Sequence, residues 1–468
     1  MSNSNTVPVT GAALRDAAED ILRRVDEVPA ATVFLGVDEL LARFDAIAAA
    51  HPDSVTRTRI GTSRLGEAIP MYTIGSGRMD HLVVGGVHPN EPIGLLTALH
   101  LAERLVGPDE FLDGLDARWH IVPCIDPDGT RLNEGWFDDP GDRLHYGRNF
   151  YRPAPDKQVE WSFPTRYKEA YFDDVLPESL ALMRVIDSVR PHLYVSLHNG
   201  EMGGVYYYLT RPIPALHELL HEIPVHLGLP LDTGEPEAPH LTRFAPAIYR
   251  MSTTAETYDY YEARGIDAAA IVRGSSSSEY ADRYGTLSLV AELPYWTHPD
   301  AADDTPTDES YAALVRRTGR GMRELHERLA SILRRAEPHF TIATPFLEAS
   351  RAFIPFFAAA AETDEARAEE PGNERPATVA ERFGCEDLLH CFRLRYGGML
   401  LRALEAETTA GTAGPELRRL AAETAELYRE WQERPTRAST ADVVPIERLV
   451  GVQYGALLAA ATHLAGPA

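Results

Sequence analysis

The chain has 468 residues, 44% apolar and 25% charged, the balance of a globular protein with ample core. Lys and Arg number 45 against 70 Asp and Glu, a formal net charge of -25 that repels nucleic acid phosphates and anionic membranes and argues against both as partners. The polar opening MSNSNTVPVT lacks a signal-peptide pattern, no run reaches the ~18 apolar residues of a membrane span, and Cys124, Cys385 and Cys391 are too few for a disulfide scaffold, so a cytoplasmic location is expected.

In chain order, Leu14, Ala17, Ile21 and Leu22 share one stripe and predict an amphipathic helix over 11–27. Val37, Leu40, Leu41, Phe44 and Ile47 predict a second over 37–49, closed by Pro52. Strand-like runs near 55–60 and 69–75 form a hairpin through Gly61 and the Leu65-Gly66-Glu67 turn. Apolar runs of strand length follow at 82–87, 120–125, 193–197 and 286–291, separated by helix-like stretches such as 93–105. This alternation predicts an α/β domain with a mostly parallel sheet, ending near residue 335. Residues 359–378, rich in Ala, Glu and Pro, read as a linker. Residues 379–406, 415–434 and 446–465 read as three helices without chemistry of their own, a packing module or the contact surface of a homo-oligomer. The expected organisation is an N-terminal helical extension (1–36), an α/β domain (37–335), and a linker with a helical C-terminal region (336–468).

Four predicted strands run into polar residues: 82–87 into His88-Pro89-Asn90-Glu91, 120–125 into Asp126-Pro127-Asp128-Gly129, 193–197 into His198-Asn199, and 286–291 into Glu292. Ligands of open α/β sheets sit outside the carboxyl ends of the strands, so these clusters can converge on one site. His88 and Glu91 lie in a turn that opens a helix, with Pro92 suited to its first turn. His198 completes a two-histidine, one-carboxylate set of the kind that holds a catalytic zinc and leaves a position for water. Each residue also has a plainer reading, His88 and His198 as strand-end hydrogen-bonding groups and Glu91 as a charge favoured by a helix N-terminus.

These residues resemble a known family. Gly85-Gly86-Val87-His88-Pro89-Asn90-Glu91-Pro92-Ile93-Gly94 resembles the first metal motif of the carboxypeptidase A-like zinc carboxypeptidases. Asp126 to Gly129 is similar to the family's Asn-Pro-Asp-Gly turn, and Gly147-Arg148-Asn149-Phe150 to its Asn-Arg-Asn-Phe segment. Ser196 to Asn199 resembles the strand bearing the third ligand, and residues 285–294 the strand bearing the catalytic glutamate. Residues 37–75 resemble the opening helix and hairpin, so the resemblance spans roughly 37–330. It implies a three-layer α/β/α fold with a mixed, mostly parallel central sheet, and one zinc per chain on His88, Glu91 and His198. It also implies Glu292 as general base, and removal of C-terminal residues from peptides. It further implies an arginine for the oxyanion after the Asp126 turn, either Arg131 or Arg143, with Arg143 the better spaced. Arg148 matches the arginine that grips the substrate's terminal carboxylate, with Asn149 beside it. Ser275 to Ser278 fall where the family lines its side-chain pocket, so Ser277 and Ser278 are expected at the substrate.

The pattern departs from the family at Gly147, where the family has Asn, and at Asp126, also Asn in the family. Ile271 stands where digestive members carry a mobile tyrosine, leaving Tyr280 or Tyr284 to serve. The rival reading is a zinc deacylase or amidase of the same fold, acting on N-acyl amino acids or cell-wall peptides. Arg148 and the long insertion between Gly200 and Glu292 favour peptides. A non-haem iron triad and a binding protein without catalysis are further alternatives, and the presence of Glu292 argues against both.

Overall fold

Val83 faces one side of its strand and Leu82 and Val84 the other, and all three are fully buried. A strand covered on both faces must lie between two layers. The computed structural model, which describes residues 11–234 and 236–466, builds those layers around a nine-stranded sheet. Its strands are β1 (Val55–Thr62), β2 (Ala68–Ile74), β3 (Met79–Val84), β4 (Ala117–Val122) and β5 (Leu193–Ser196). They continue with β6 (Tyr206–Leu209), β7 (Arg243–Ala245), β8 (Ile248–Arg250) and β9 (Leu287–Glu292). Their order is β1-β2-β4-β3-β5-β9-β6-β8-β7. The four middle strands, β4, β3, β5 and β9, run parallel. Antiparallel pairings join them to β2 on one side and β6 on the other, so the sheet is mixed with a parallel centre.

Helices cover both faces. They are α1 (Gly11–Asp26), α2 (Val37–Ala50), α3 (Ile93–Leu105), α4 (Arg143–Asn149), α5 (Pro177–Val189) and α6 (Pro214–His226). After the sheet come α7 (Tyr311–Ala336), α8 (Pro345–Ala368), α9 (Val379–Thr409), α10 (Pro415–Glu433) and α11 (Ile446–Ala465). Val83, Ile121 and Val195 pack with α3 and α11 on one face. Leu82, Val84 and Tyr194 pack with Leu182 and Ile186 of α5 on the other, giving three layers. Among the described residues, no helix is long and apolar enough to cross a membrane.

The topology places a crevice. β4 pairs with one edge of β3 and β5 with the other, so the chain leaves β3 in one direction and returns in the opposite one. Open α/β sheets bind ligands outside the carboxyl ends of strands at such a switch point. β3 and β4 stop three residues short of their apolar runs, at Val84 and Val122. Gly86 turns the chain at φ +67°, and Pro123 has no N–H to continue a ladder.

The C-terminal part corrects one expectation. Residues 359–378 are not a linker: α8 continues to Ala368, and a turn then leads to a short strand, Pro376–Thr378, that pairs beside Pro306–Ser310. Ala and Glu, whose abundance suggested a linker, are strong helix formers once a helix has been started. Thr344 starts this one by accepting from Leu347 N. The three tail helices stand where expected, but they are not set apart. α9 packs on α4, and α11 lies against α1, α3 and α6. The opening MSNSNTVPVT, read as lacking a signal, lies outside the described residues.

Candidate metal centre

Backbone placement comes first. α3 begins directly against the end of β5, because a Cβ on Gly94 would stand 2.7 Å from Leu197 Cβ. Only glycine lets the helix sit so close. The turn before α3 is tied by Glu91 N donating to His88 O at 3.1 Å. Val84 pairs with Ser196, so the His88–Glu91 turn and His198 leave neighbouring strands side by side. β9 is the next strand over from β5, and Glu292 is its last residue.

The side chains then meet. His88, Glu91 and His198 each offer a donor atom, all within 4.8 Å of one another. They are only 3%, 4% and 4% exposed, so they stand in a dry environment where charge interactions are strong. Glu91 Oε1 lies 3.1 Å from His88 Nδ1, and Oε2 lies 3.2 Å from His198 Nδ1. Glu292 Oε1 is 3.8 Å from the same His198 nitrogen. On the other side of the ring, His198 Nε2 is 2.9 Å from Ser196 Oγ, which donates to Glu160 Oε2 at 3.1 Å. That contact leaves Nδ1 free to be a ligand. Among the described residues, His88 Nε2 and His198 Nδ1 are buried with no hydrogen-bond partner, so both lone pairs can serve a metal. Two imidazoles and one carboxylate are a donor set for zinc, and these residues fit it.

The electrostatics argue the same way. Burial pushes the His88 imidazole down to about 3, and the nearby Arg152 adds to it. Burial works against a charge on His198 as well, yet Glu91, Glu292 and Glu160 raise it to about 9. Glu91 overcomes its own burial through the two imidazoles and stays well below the usual carboxylate range. Glu292 rises well above that range, chiefly through burial, with Glu237 and Glu91 contributing. Burial raises Glu160 as well, so Glu91 is the carboxylate of the three held in its charged form, and it faces both imidazoles as a zinc ligand must.

Other expected residues are placed as follows. Arg131 is bound by Glu67 at 2.5 Å and Asp38 at 2.6 Å. Arg143 is nearly buried, pairs with Asp387 of α9 and lies over the Trp296 ring. Arg148 pairs with Glu405 of α9 at 2.5 Å. Asn149 donates to His145 O at 3.1 Å. Ser277 is brought into the metal-centre network, donating to Glu160 Oε1 at 2.7 Å, and Ser278 is buried next to it. Tyr280 donates to Asp187 of α5, as does Tyr284.

Several residues that reading the sequence missed are part of the site. Arg152 Nη1 stands 3.2 Å from Glu91 Oε1, in contact with one of the three clustered side chains. It lies four residues after Arg148 in the same segment, and that shared segment was the available signal. Glu160 sits in an irregular stretch where no pattern marks it. Gln453 donates from α11 to the carbonyl of His198, across 255 residues of sequence.

Comparison with known proteins identifies the family. The family model described as zinc carboxypeptidase matches residues 40–294, more than half of the 468-residue chain. No curated protein sequence gives a significant match. Similar solved structures include carboxypeptidase A from Helicoverpa armigera, at 16% identity over 76% of this chain and 80% of that one, with a TM-score of 0.37. A metallo-carboxypeptidase from Burkholderia cenocepacia shares 15% identity over 56% of this chain and 60% of its own, with a TM-score of 0.34. One from Pseudomonas aeruginosa, in complex with (2-guanidinoethylmercapto)succinic acid, shares 18% over 54% and 59%, with a TM-score of 0.31. On the extent of the family match, which spans His88, Glu91, His198 and Glu292, the chain belongs to the zinc carboxypeptidase family.

Proposed function

We propose that this protein removes C-terminal residues from peptides by zinc-assisted hydrolysis. The observation that carries the reading is the buried cluster of His88, Glu91 and His198 with Glu292 Oε1 3.8 Å from His198 Nδ1. His88, Glu91 and His198 would hold the ion. A bound zinc supplies Lewis acidity, polarising a carbonyl and lowering the pKa of water toward about 7.

The chain's own groups do the rest. Glu292, fixed at the end of a buried strand, takes a proton from the attacking water and returns it to the leaving amine. Arg152, beside Glu91, supplies the second positive charge toward the oxyanion. Arg148 anchors the terminal carboxylate. Its partner Glu405 is a half-exposed surface residue that a substrate carboxylate can replace. Burial of the centre keeps bulk water from competing for these groups.

The test is a hydrolysis screen of the zinc-loaded chain, read by mass spectrometry. It pairs free-carboxylate peptides with their C-terminal amides, alongside N-acyl amino acids. Loss of single residues from free-carboxylate peptides alone is the expected result. Cleavage of N-acyl amino acids, or indifference to the terminal carboxylate, would move the protein to the deacylase or amidase chemistry.

A further inference from the structure

Polar side chains are scarce on α11. Leu449, Val450, Val452, Tyr454, Ala456, Leu457 and Leu458 are all buried, as befits a helix sunk between α1, α3 and α6. Gln453 stands among them only 1% exposed. A primary amide so deeply buried is costly unless both ends are paired. Both are: Nε2 donates to the main-chain oxygen of His198, and Oε1 accepts from Thr97 Oγ1 at 2.6 Å. The orientation is forced, because a carbonyl oxygen can only accept.

The two partners belong to the two elements that carry the metal-binding residues. Thr97 is in the second turn of α3, the helix that the His88–Glu91 turn opens, and His198 follows β5. One amide therefore ties the His88–Glu91 side of the centre to the His198 side. It also holds the main chain of a residue whose ring is held separately by Ser196 and Glu160. Thr97 has a second acceptor, Ile93 O at 3.2 Å, so its hydroxyl stays paired without Gln453. The His198 carbonyl would then lose the donor that α11 gives it.

We propose that Gln453 is a positioning residue for His198 and sets the metal affinity of the centre, which makes the last helix a working part of the metal site. The inference rests on the zinc reading above and extends beyond residues 40–294, where the family match ends. Groups that orient a ligand typically contribute 10- to 100-fold to metal affinity. Met is close to Gln in length, keeps the helix and fills the space, but cannot donate to the carbonyl.

The experiment uses the full chain and reads zinc affinity by competition with a chromophoric chelator, together with the melting temperature of the metal-stripped protein. Three proteins are compared: wild type, Gln453→Met, and Val450→Ala as a control that damages the same helix without reaching His198. Gln453→Met is expected to weaken zinc binding by about 10- to 100-fold, while Val450→Ala lowers the melting temperature and leaves zinc affinity within about twofold of wild type. Wild-type affinity in Gln453→Met overturns the proposal, as does an equal loss of affinity in Val450→Ala. If Gln453→Met does not fold, Thr97→Val takes its place: it removes the donor that holds Gln453 Oε1, and unchanged zinc affinity there overturns the proposal equally. Failure of the wild type to bind zinc would instead overturn the metal reading on which the proposal rests.

Discussion

Residues 40–294 and residues 345–465 do different work on the same site. The first region places its chemistry at strand ends, where His88, Glu91, His198 and Glu292 face a common crevice. The second reaches back with side chains that hold the first in place. Asp387 pairs with Arg143, and Glu405 with Arg148. Arg395 pairs with Glu201 at 2.7 Å, and Arg402 donates to the carbonyls of Asn149 and Phe150. Gln453 bonds the carbonyl of His198. On the proposed function, groups that react and groups that keep them still are divided between distant parts of the chain. Damage to the first region should therefore abolish chemistry, and damage to the second should weaken it only where a side chain reaches the first.

The largest effect is expected from His198→Ala, which removes one of the three proposed ligands. Zinc content should fall to near zero by elemental analysis, and a fully loaded variant would break the assignment. Glu292→Gln should keep its zinc and lose about 10²- to 10⁴-fold in kcat, the scale of general-base catalysis. Arg152→Ala should lose about 10²- to 10³-fold in kcat, the scale of one oxyanion donor, with zinc retained. Arg148→Ala should instead raise KM for free-carboxylate peptides more than it lowers kcat. Equal behaviour of the two arginine variants would erase the division of roles between them.

The smallest effect belongs to the second region. Glu407 is fully buried near the end of α9, where it accepts from Thr341 N, Ile342 N and the hydroxyls of Thr341 and Thr412. Burial alone would raise its pKa, but those hydrogen bonds hold it down at about 2. A depressed carboxylate stabilises the fold at pH values above its unfolded pKa, and the contribution is lost as pH falls toward about 2. Glu407→Gln should cost about 1–3 kcal/mol in urea unfolding at neutral pH. The difference from wild type should shrink as the solution is acidified through pH 4. Turnover of the folded variant should stay near wild type, and a large loss would blur the boundary between the two regions.

How much of this could be read from the sequence follows from the kind of signal each residue leaves. The strand at Leu193–Ser196 announced itself as a short apolar run, and the helix at Ile93–Leu105 as a helix-like stretch between such runs. His88, Glu91, His198 and Glu292 were legible because strand ends are where an α/β sheet puts polar chemistry, and the structure brings those four together. The arginines were harder. Arg131, Arg143, Arg148 and Arg152 all fall within 22 residues of chain, and only tertiary contacts show that three pair with carboxylates elsewhere while Arg152 stands beside Glu91. Gln453 left no signal at all, since one amide in an apolar helix looks like an ordinary irregularity until the carbonyl it serves is seen. The Ala- and Glu-rich stretch before Ala368 misled because composition that suits a linker also suits a helix with a partner to pack against.

The central claim is tested most directly by titrating zinc into the metal-stripped full chain and measuring, in the same samples, bound zinc and residues released from a free-carboxylate peptide. The account predicts that both rise together and saturate at one zinc per chain. Hydrolysis that survives complete stripping, or a chain that takes up one zinc and releases nothing from any free-carboxylate peptide, would contradict it.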